Sequence, residues 1–482
     1  MKKTKTVLIS GNFNLLHAGH IRLFLFAKEL ASNLIVAVSS DELAGKNAYL
    51  PENFRLEAIS SLPYINKSFI YSKSINEIIK DIKPDFIVKG KEHENKYNEE
   101  EEILKTQGGK IIFSSGEIIF SANEFMKKEV KIINNTINKN IVFPNDFLKR
   151  NNIKNDKLIS IVKSFSKLNI IVVGDIIIDE YIDCKPIGMS QEDPTIVVTP
   201  ISSKKFIGGA GIVAAHAAGL NANVDFISVT GKDTLCKYSK LELKKMNVKF
   251  HDFIDESRPT TLKKRFRSLG KTLLRVSELH QSPISNSIQN KIFNKISKLI
   301  INCDVLIFSD FNYGCLPASL VSRIIKLCIK KNVIMSADSQ SSSQTGDLNK
   351  FHNMTLISST EREARIALRD NENGLIVLAD NLRKTLNAKN ILLKLGKNGV
   401  IINEYIKDKN ITKNDKIDAL NTAPIDVAGA GDSMLITASL VLASKNNILE
   451  ASLLGSLAAS FQVGKLGNNP LELKEIISFL NR

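Results

Sequence analysis

Short apolar runs alternate with stretches of helical spacing along most of the chain. In the N-terminal part, runs at 7–10, 34–39, 69–71, 85–88 and 110–113 predict strands. Between the first two, Ile21, Leu23, Phe24, Ala27 and Leu30 give 18–31 a helical pattern. The segments 52–62, 74–82 and 98–107 predict further helices. Strands alternating with helices predict a parallel sheet joined by right-handed crossovers. A second such series starts at 170–175 and runs to the C-terminus, with strands predicted at 224–228, 305–308, 333–337 and 391–395. The stretches 176–207 and 258–276 are strand-rich instead and predict a small lid sheet. Residues 130–156 are rich in Asn and Lys and contain one Pro, which suits a linker. The predicted fold is α/β, with two doubly wound parallel-sheet domains: 1–130, a linker over 131–156, and 157–482 carrying the lid.

Composition changes this picture little. A length of 482 residues suits two or three domains, and 43% hydrophobic with 24% charged residues is an ordinary globular balance. No apolar stretch reaches the roughly 18 residues of a membrane span. The basic N-terminus resembles a signal peptide superficially, but its apolar run is only Val7-Leu8-Ile9, so a first strand is expected. Five cysteines show no CxxC pair and no metal spacing, which fits reduced thiols in the cytoplasm. The formal charge is +16, yet the lysines are spread out and no Arg/Lys stripe alternates with aromatics. Solvated lysine-rich faces are expected, not nucleic-acid binding; the field favours phosphate-bearing substrates.

The chemistry is concentrated in a few motifs. In Asp426-Val427-Ala428-Gly429-Ala430-Gly431-Asp432-Ser433, small residues let backbone N–H groups crowd one point, just before a predicted helix. Such donors at a helix N-terminus suit phosphoryl oxygens. A carboxylate there, Asp432, can take the proton of an attacking hydroxyl. In Gly11-Asn12-Phe13-Asn14-Leu15-Leu16-His17-Ala18-Gly19-His20, the turn from first strand to first helix brings His17 and His20 toward one phosphate group. Asp179, closing Gly174-Asp175-Ile176-Ile177-Ile178-Asp179, can accept from sugar hydroxyls. Gly208-Gly209-Ala210-Gly211 opens a small-residue helix and allows close approach of substrate. Glu363, in Thr360-Glu361-Arg362-Glu363, can help hold Mg²⁺ through water. Lys394-Leu395-Gly396-Lys397-Asn398-Gly399-Val400 predicts a strand, a tight turn and a strand.

The N-terminal string resembles the signature of the cytidylyltransferase-like nucleotidyltransferases, over about residues 5–130. The resemblance implies a Rossmann-like fold and a nucleotide site at Gly11, Phe13, Asn14, Lys46, Arg55, Lys89, Gly90 and Ser121, with His17 and His20 at the α-phosphate. Two departures stand out: Asn14 replaces the family's Asp, and Ser121-Ala122-Asn123 replaces an S-T-T turn. Over 168–482 the order of motifs resembles the ribokinase-like (PfkB) sugar kinases. This implies Asp432 as catalytic base, an anion hole at Ala428, Gly429, Ala430 and Gly431, and use of ATP and Mg²⁺. Lys394, Gly396, Gly399 and Gly464 fall on its nucleotide side, and Asp179, Gly208, Gly209, Lys263, Arg265 and Asp310 on its substrate side. The lid segment 189–198 and the run 258–265 resemble the heptose 7-phosphate kinases, although Tyr313, Thr360 and Gln340 replace usual residues.

Together the two parts resemble the bifunctional ADP-heptose synthases of bacterial envelope and lipopolysaccharide assembly, with the domain order reversed. That resemblance implies a sugar phosphate and a nucleoside triphosphate as substrates, and a homodimer through the lid sheet. Another sugar or polyol phosphate with a cytidylyltransferase, or an N-terminal domain that only binds nucleotide, are the alternatives.

Overall fold

The computed structural model describes residues 5–14, 16, 18–45, 48–90, 93, 98–114, 140–268, 271–340 and 346–481. The chain divides into two compact units, Met1–Asn135 and Thr136–Arg482.

The first unit is built on β1 (Thr6–Gly11), β2 (Asn33–Ser39), β3 (Lys67–Tyr71), β4 (Phe86–Gly90) and β5 (Lys110–Ser114). They form one parallel sheet in the order β3-β2-β1-β4-β5. Alternation splits the central strands between two cores. Val7, Ile9, Val36, Val38 and Val88 pack with Phe24 and Ala27 of the helix Ala18–Leu30. Leu8, Ile35, Ala37 and Ile87 pack on the other face with Ile79 and Leu104. The strand order reverses between β1 and β4, so their carboxyl ends flank the crevice where such sheets bind ligands.

The second unit holds two sheets. Its large one comprises β6 (Asn169–Gly174), β9 (Asn223–Thr230), β10 (Lys249–Ile254), β13 (Val305–Asp310), β14 (Ile334–Ser339), β15 (Leu356–Thr360), β16 (Asn390–Lys394), β17 (Val400–Ile406) and β18 (Ile411–Ile417). The order is β10-β9-β6-β13-β14-β15-β16-β17-β18, parallel except for the last two pairings, β16–β17 and β17–β18. The small sheet comprises β7 (Ile176–Met189), β8 (Ile196–Gly209), β11 (Leu262–Ser268) and β12 (Lys271–Glu278), in the order β12-β11-β7-β8. The strand-rich stretches expected to make a lid thus supply this sheet. The helices Ala430–Ala443 and Ile448–Val463 are apolar almost all round and buried along their length, as such sequences require.

The stretch 131–156, expected as a linker, needs correction from Asn140 onward. Ile141 bridges to Asn421, and the helix Asn145–Asn151 buries Phe147 and Leu148 in the second unit's core. Arg150 adds a bidentate pair with Asp415 on β18, at 2.7 and 3.3 Å. The polar composition marks the outer face of these helices, not a free tether.

Candidate active sites

In the second unit, the chain enters the helix Ala430–Ala443 through Gly429, whose φ of 77° is strained for any side chain. The first N–H groups of a helix have no partner within it, so this end can receive an anion. Asp426 shapes the approach: its carboxylate accepts from Ala428 N–H (3.1 Å), Gly467 N–H (3.0 Å) and the Tyr181 hydroxyl (3.0 Å). Gln462 donates to the carbonyls of Ala428 (3.2 Å) and Gly467 (3.0 Å).

Asp432 lies in the first turn and is buried. Gln340 donates to its Oδ1 at 2.9 Å. Burial, then repulsion from Asp338, pushes its carboxyl up to about 7; Lys394 and Lys263 oppose the shift. That value puts a proton acceptor near neutral pH.

Asp179 is the second buried carboxylate here. Arg265 donates to its Oδ1 (2.9 Å) and Asn468 to its Oδ2 (3.1 Å). A Cβ on Gly208 would come within 2.3 Å of that Oδ2, so a side chain there would push the carboxylate aside. Gly208 and Gly209 pair with Ile177 and Ile176 across β7 and β8. Asn468 also lies against Gly429, 2.8 Å from where its Cβ would be. Asn468 therefore joins the Asp179 side to the phosphate-loop side. Lys263 pairs with Asp179 in the β11–β7 register and lies over the Phe311 and Tyr313 rings. Alternation sets Lys263 and Arg265 on one face of β11.

Other expected residues have different settings. Asp310 is fully committed: Lys350 (2.7 Å) and Ser339 (3.1 Å) hold Oδ2, and Asn312 N–H (3.2 Å) holds Oδ1. These contacts fix the loop after β13. Lys394 is buried and paired with Asp338 at 2.6 Å, so it is a counter-ion, not a free nucleotide ligand. Glu363 closes a capping box with Thr360, one oxygen accepting from Thr360 N–H at 2.7 Å. Gly396 and Gly399 make the tight β16–β17 turn, with φ of 59° and 85°. Gly464 caps the helix Ile448–Val463.

Sequence reasoning missed Asn468 and Tyr181, and gave Gln340 and Asp175 no role in the site. Asp175 accepts from the N–H groups of Phe311, Tyr313 and Cys315 at 2.9–3.3 Å and ties β6 to the loop after β13. Burial and Asp310 raise its carboxyl to about 6.

In the first unit, His17, Lys46 and Ser121 lie outside the described residues. His20 stacks between Phe13 (5.3 Å, edge-on) and Phe24 (6.3 Å). Phe13 is buried in the core and packs against this histidine. Gly11 and Gly90 end β1 and β4 at the crevice. Asn14 is buried and accepts from Tyr49 N–H at 2.8 Å.

Arg55 was expected at phosphates and is instead fully enclosed. It donates to Asp41 (2.6 Å) and to the carbonyls of Asn12 (2.8 Å) and Leu50 (2.9 Å). It clamps the loops of the crevice from beneath. Lys89 is likewise held by Asn98 (2.9 Å) and Glu100 (2.8 Å).

Residues 167–474 match the pfkB family carbohydrate kinases, well over half of the sequence. The chain belongs to the pfkB family of carbohydrate kinases. Residues 8–178 match the cytidylyltransferase-like family. The overlap at 167–178 falls on β6 and the start of β7, inside the second unit. A cytidylyltransferase-like match and a pfkB carbohydrate kinase match thus lie on one chain. Among curated proteins, "Bifunctional protein HldE" of Nitratiruptor sp. is 29% identical over 315 residues, 64% of each chain. The protein of that name from Aliarcobacter butzleri is 30% identical over 318 residues, covering 65% of this chain and 64% of its own. The chain therefore spans a little under two thirds of these relatives. Solved pfkB-like folds include an Arabidopsis thaliana ribokinase complexed with ribose and ATP (TM-score 0.52, 17% identity, 65% of this chain and 99% of that one). The Escherichia coli phosphofructokinase-2 in complex with potassium gives TM-score 0.53 at 14% identity, with the same coverage. Among the described residues, no helix is long and apolar enough to cross a membrane.

Proposed function

We propose that the chain makes a nucleotide-activated sugar in two steps. The second unit phosphorylates the anomeric hydroxyl of a sugar 7-phosphate, of the D-glycero-D-manno-heptose class, with ATP. Asp432 takes the hydroxyl proton, the oxygen bonds to the γ-phosphorus, and the bond to the bridging oxygen breaks to release ADP. Backbone amides at 428–431 hold the developing charge. Asp179 holds sugar hydroxyls, and Lys263 with Arg265 suits the distal phosphate. After a phosphatase removes the 7-phosphate, the first unit transfers a nucleotidyl group, adenylyl by analogy, to the sugar 1-phosphate. His17 and His20 steady the α-phosphate, and pyrophosphate leaves. The name of the HldE relatives supports this pairing.

The carrying observation is Asp432, a buried carboxylate at a helix N-terminus with a raised pKa, linked through Gly429 and Asn468 to Asp179. Among the described residues, no three metal-ligating side chains cluster, and Glu363 has an oxygen committed to its cap. Glu363 would help hold, through water, a hydrated Mg²⁺ carried by the nucleotide phosphates. When bound, the ion neutralises phosphate charge. Ile187, Met189 and Ile201 stand 63–70% exposed on the lid, which suits the homodimer expected there. We place the enzyme in the cytoplasm, with no nucleic-acid partner.

A second reading, in which the first unit binds nucleotide without transferring it, is favoured by the enclosure of Arg55 and Lys89. Mass spectrometry of products from ATP or CTP with a panel of sugar phosphates separates the readings. ADP and a sugar bisphosphate are expected from the heptose 7-phosphate, and pyrophosphate with a nucleotide sugar from the 1-phosphate. No pyrophosphate from any pairing leaves the binding-only reading for the first unit. Near-normal turnover by Asp432→Asn refutes the base assignment.

A further inference from the structure

We propose that Asp338 and Lys394 are a positioning pair that sets the ionisation of Asp432 from beneath the first turn of its helix. This rests on the reading of Asp432 as the phosphoryl-transfer base.

Asp338 lies near the end of β14 and Lys394 at the end of β16, with β15 between. Alternation puts Lys394 on the same face as Leu392, which belongs to the core shared with the helix Ala430–Ala443. The ammonium lies 2.6 Å from Asp338 Oδ2. A Cβ on Gly431 would stand 3.1 Å from Lys394 Nζ and 3.8 Å from that Oδ2. The pair is therefore packed against the residue immediately before Asp432, where any larger side chain would push it away. The two side chains are only 13% and 2% exposed, and Asp338 Oδ1 is buried with no hydrogen-bond partner.

A buried ion pair is poor value for stability alone, because apolar residues of the same volume do as well or better. This pair has another use. Four charged groups act on Asp432: Asp338 from β14, Lys394 from β16, Asp179 from β7 and Lys263 from β11. Gln340 contributes a neutral donor. Glu363, on the helix Glu361–Leu368, acts on both members of the pair. Asp338 and Lys394 pull in opposite senses: the carboxylate favours the protonated base and the ammonium favours the ionised one. Burial raises Asp432 first; the two members then shift it in opposite senses and largely cancel, so each alone tunes the base and together they balance under the helix.

The test uses the full chain and three variants, Asp338→Asn, Lys394→Met and the double substitution. Two readouts are followed across pH 5–9. One is turnover with ATP and D-glycero-D-manno-heptose 7-phosphate. The other is the infrared carboxyl band of Asp432, assigned by its loss in Asp432→Asn, which needs no sugar. Asp338→Asn is expected to move both midpoints to lower pH and Lys394→Met to higher pH, each by about one unit, a tenfold change in proton affinity. The double variant returns to within about half a unit of wild type by the same scale. Singles that move the same way, or a double displaced as far as either single, overturn the proposal. Circular dichroism checks folding. Where a single variant does not fold, the wild-type infrared titration decides: interaction with Asp338 requires a biphasic Asp432 curve, and a one-proton curve overturns the pair. Turnover retained by Asp432→Asn defeats the base reading; turnover lost there, with unmoved titrations in the others, defeats only the pair.

Discussion

Asp432→Asn should stabilise the second unit above neutral pH while stopping its chemistry. Burial raises this carboxyl from 3.8 to about 7. A carboxyl with a native pKa above its unfolded value stabilises the native state fully below the unfolded value. That contribution is lost as pH rises through the native value. The difference is about three units, and at about 1.4 kcal/mol per unit the ionised side chain costs about 4 kcal/mol at pH 8. Asparagine carries no charge, keeps the volume, and can still accept from Gln340 through its amide oxygen. The variant should therefore gain stability relative to wild type, with the gap opening between pH 4 and 7 and flat above about pH 8. For a unit of this size, 4 kcal/mol corresponds to a midpoint shift of roughly 6 °C. Calorimetry of both proteins at pH 4, 6 and 8 measures it; the neighbouring carboxylates are common to both and largely cancel. An Asp432→Asn protein no more stable than wild type at pH 8, or one whose advantage shrinks as pH rises, would refute the claim that this base is held against its own desolvation.

Three further outcomes are expected. Arg55→Met should destabilise the first unit by about 1–3 kcal/mol, because a fully buried guanidinium gives up three hydrogen bonds to partly exposed acceptors; a urea midpoint unchanged within error would show that the guanidinium is not a clamp. Gly208→Ala should raise the sugar-phosphate KM at least tenfold and leave the ATP KM nearly unchanged, since the new methyl meets Asp179 Oδ2; equal effects on both constants would contradict that assignment. Tyr181→Phe removes one of three donors to Asp426. Steady-state kinetics should show kcat lower by roughly five- to tenfold, about 1 kcal/mol, with little change in melting temperature; unchanged kcat would mean the hydroxyl does not help hold the phosphate loop.

The two α/β layers were legible because strands buried on both faces become short apolar runs, and those runs sit between helical repeats. The lid was legible for the opposite reason: its strands lack such helices. The antiparallel edge, β17 and β18, was only half visible, since β18 (ITKNDKI) is polar and shows itself by pairing with β17. The helix Asn145–Asn151 was read as linker because Asn and Lys dominate it, although Phe147 and Leu148 carry its burial. Motifs made of backbone chemistry were legible in the same way: Gly429 needs its positive φ whatever surrounds it, and the missing Cβ of Gly208 leaves room for the Asp179 carboxylate.

Charged side chains were the opposite case. A lysine or arginine in a motif has one sequence appearance whether it faces a phosphate, a carboxylate or a carbonyl. What decides is the set of oxygens that the fold delivers from elsewhere in the chain. Arg55 meets the carbonyls of Asn12 and Leu50 and the carboxylate of Asp41. Lys394 meets Asp338, and Asp310 meets Lys350, each across a long stretch of sequence. With those oxygens in place, a guanidinium or ammonium is already solvated by protein and gains little by turning to a ligand. Arg265 differs because the carboxylate at hand does not exhaust it: it gives Asp179 one hydrogen bond with its Nη2 and keeps a buried Nε with none. An unsatisfied donor beside a buried carboxylate and a glycine-cleared space is the arrangement a phosphorylated sugar would complete, and it is there, not at Arg55 or Lys394, that the charge of the substrate should be felt.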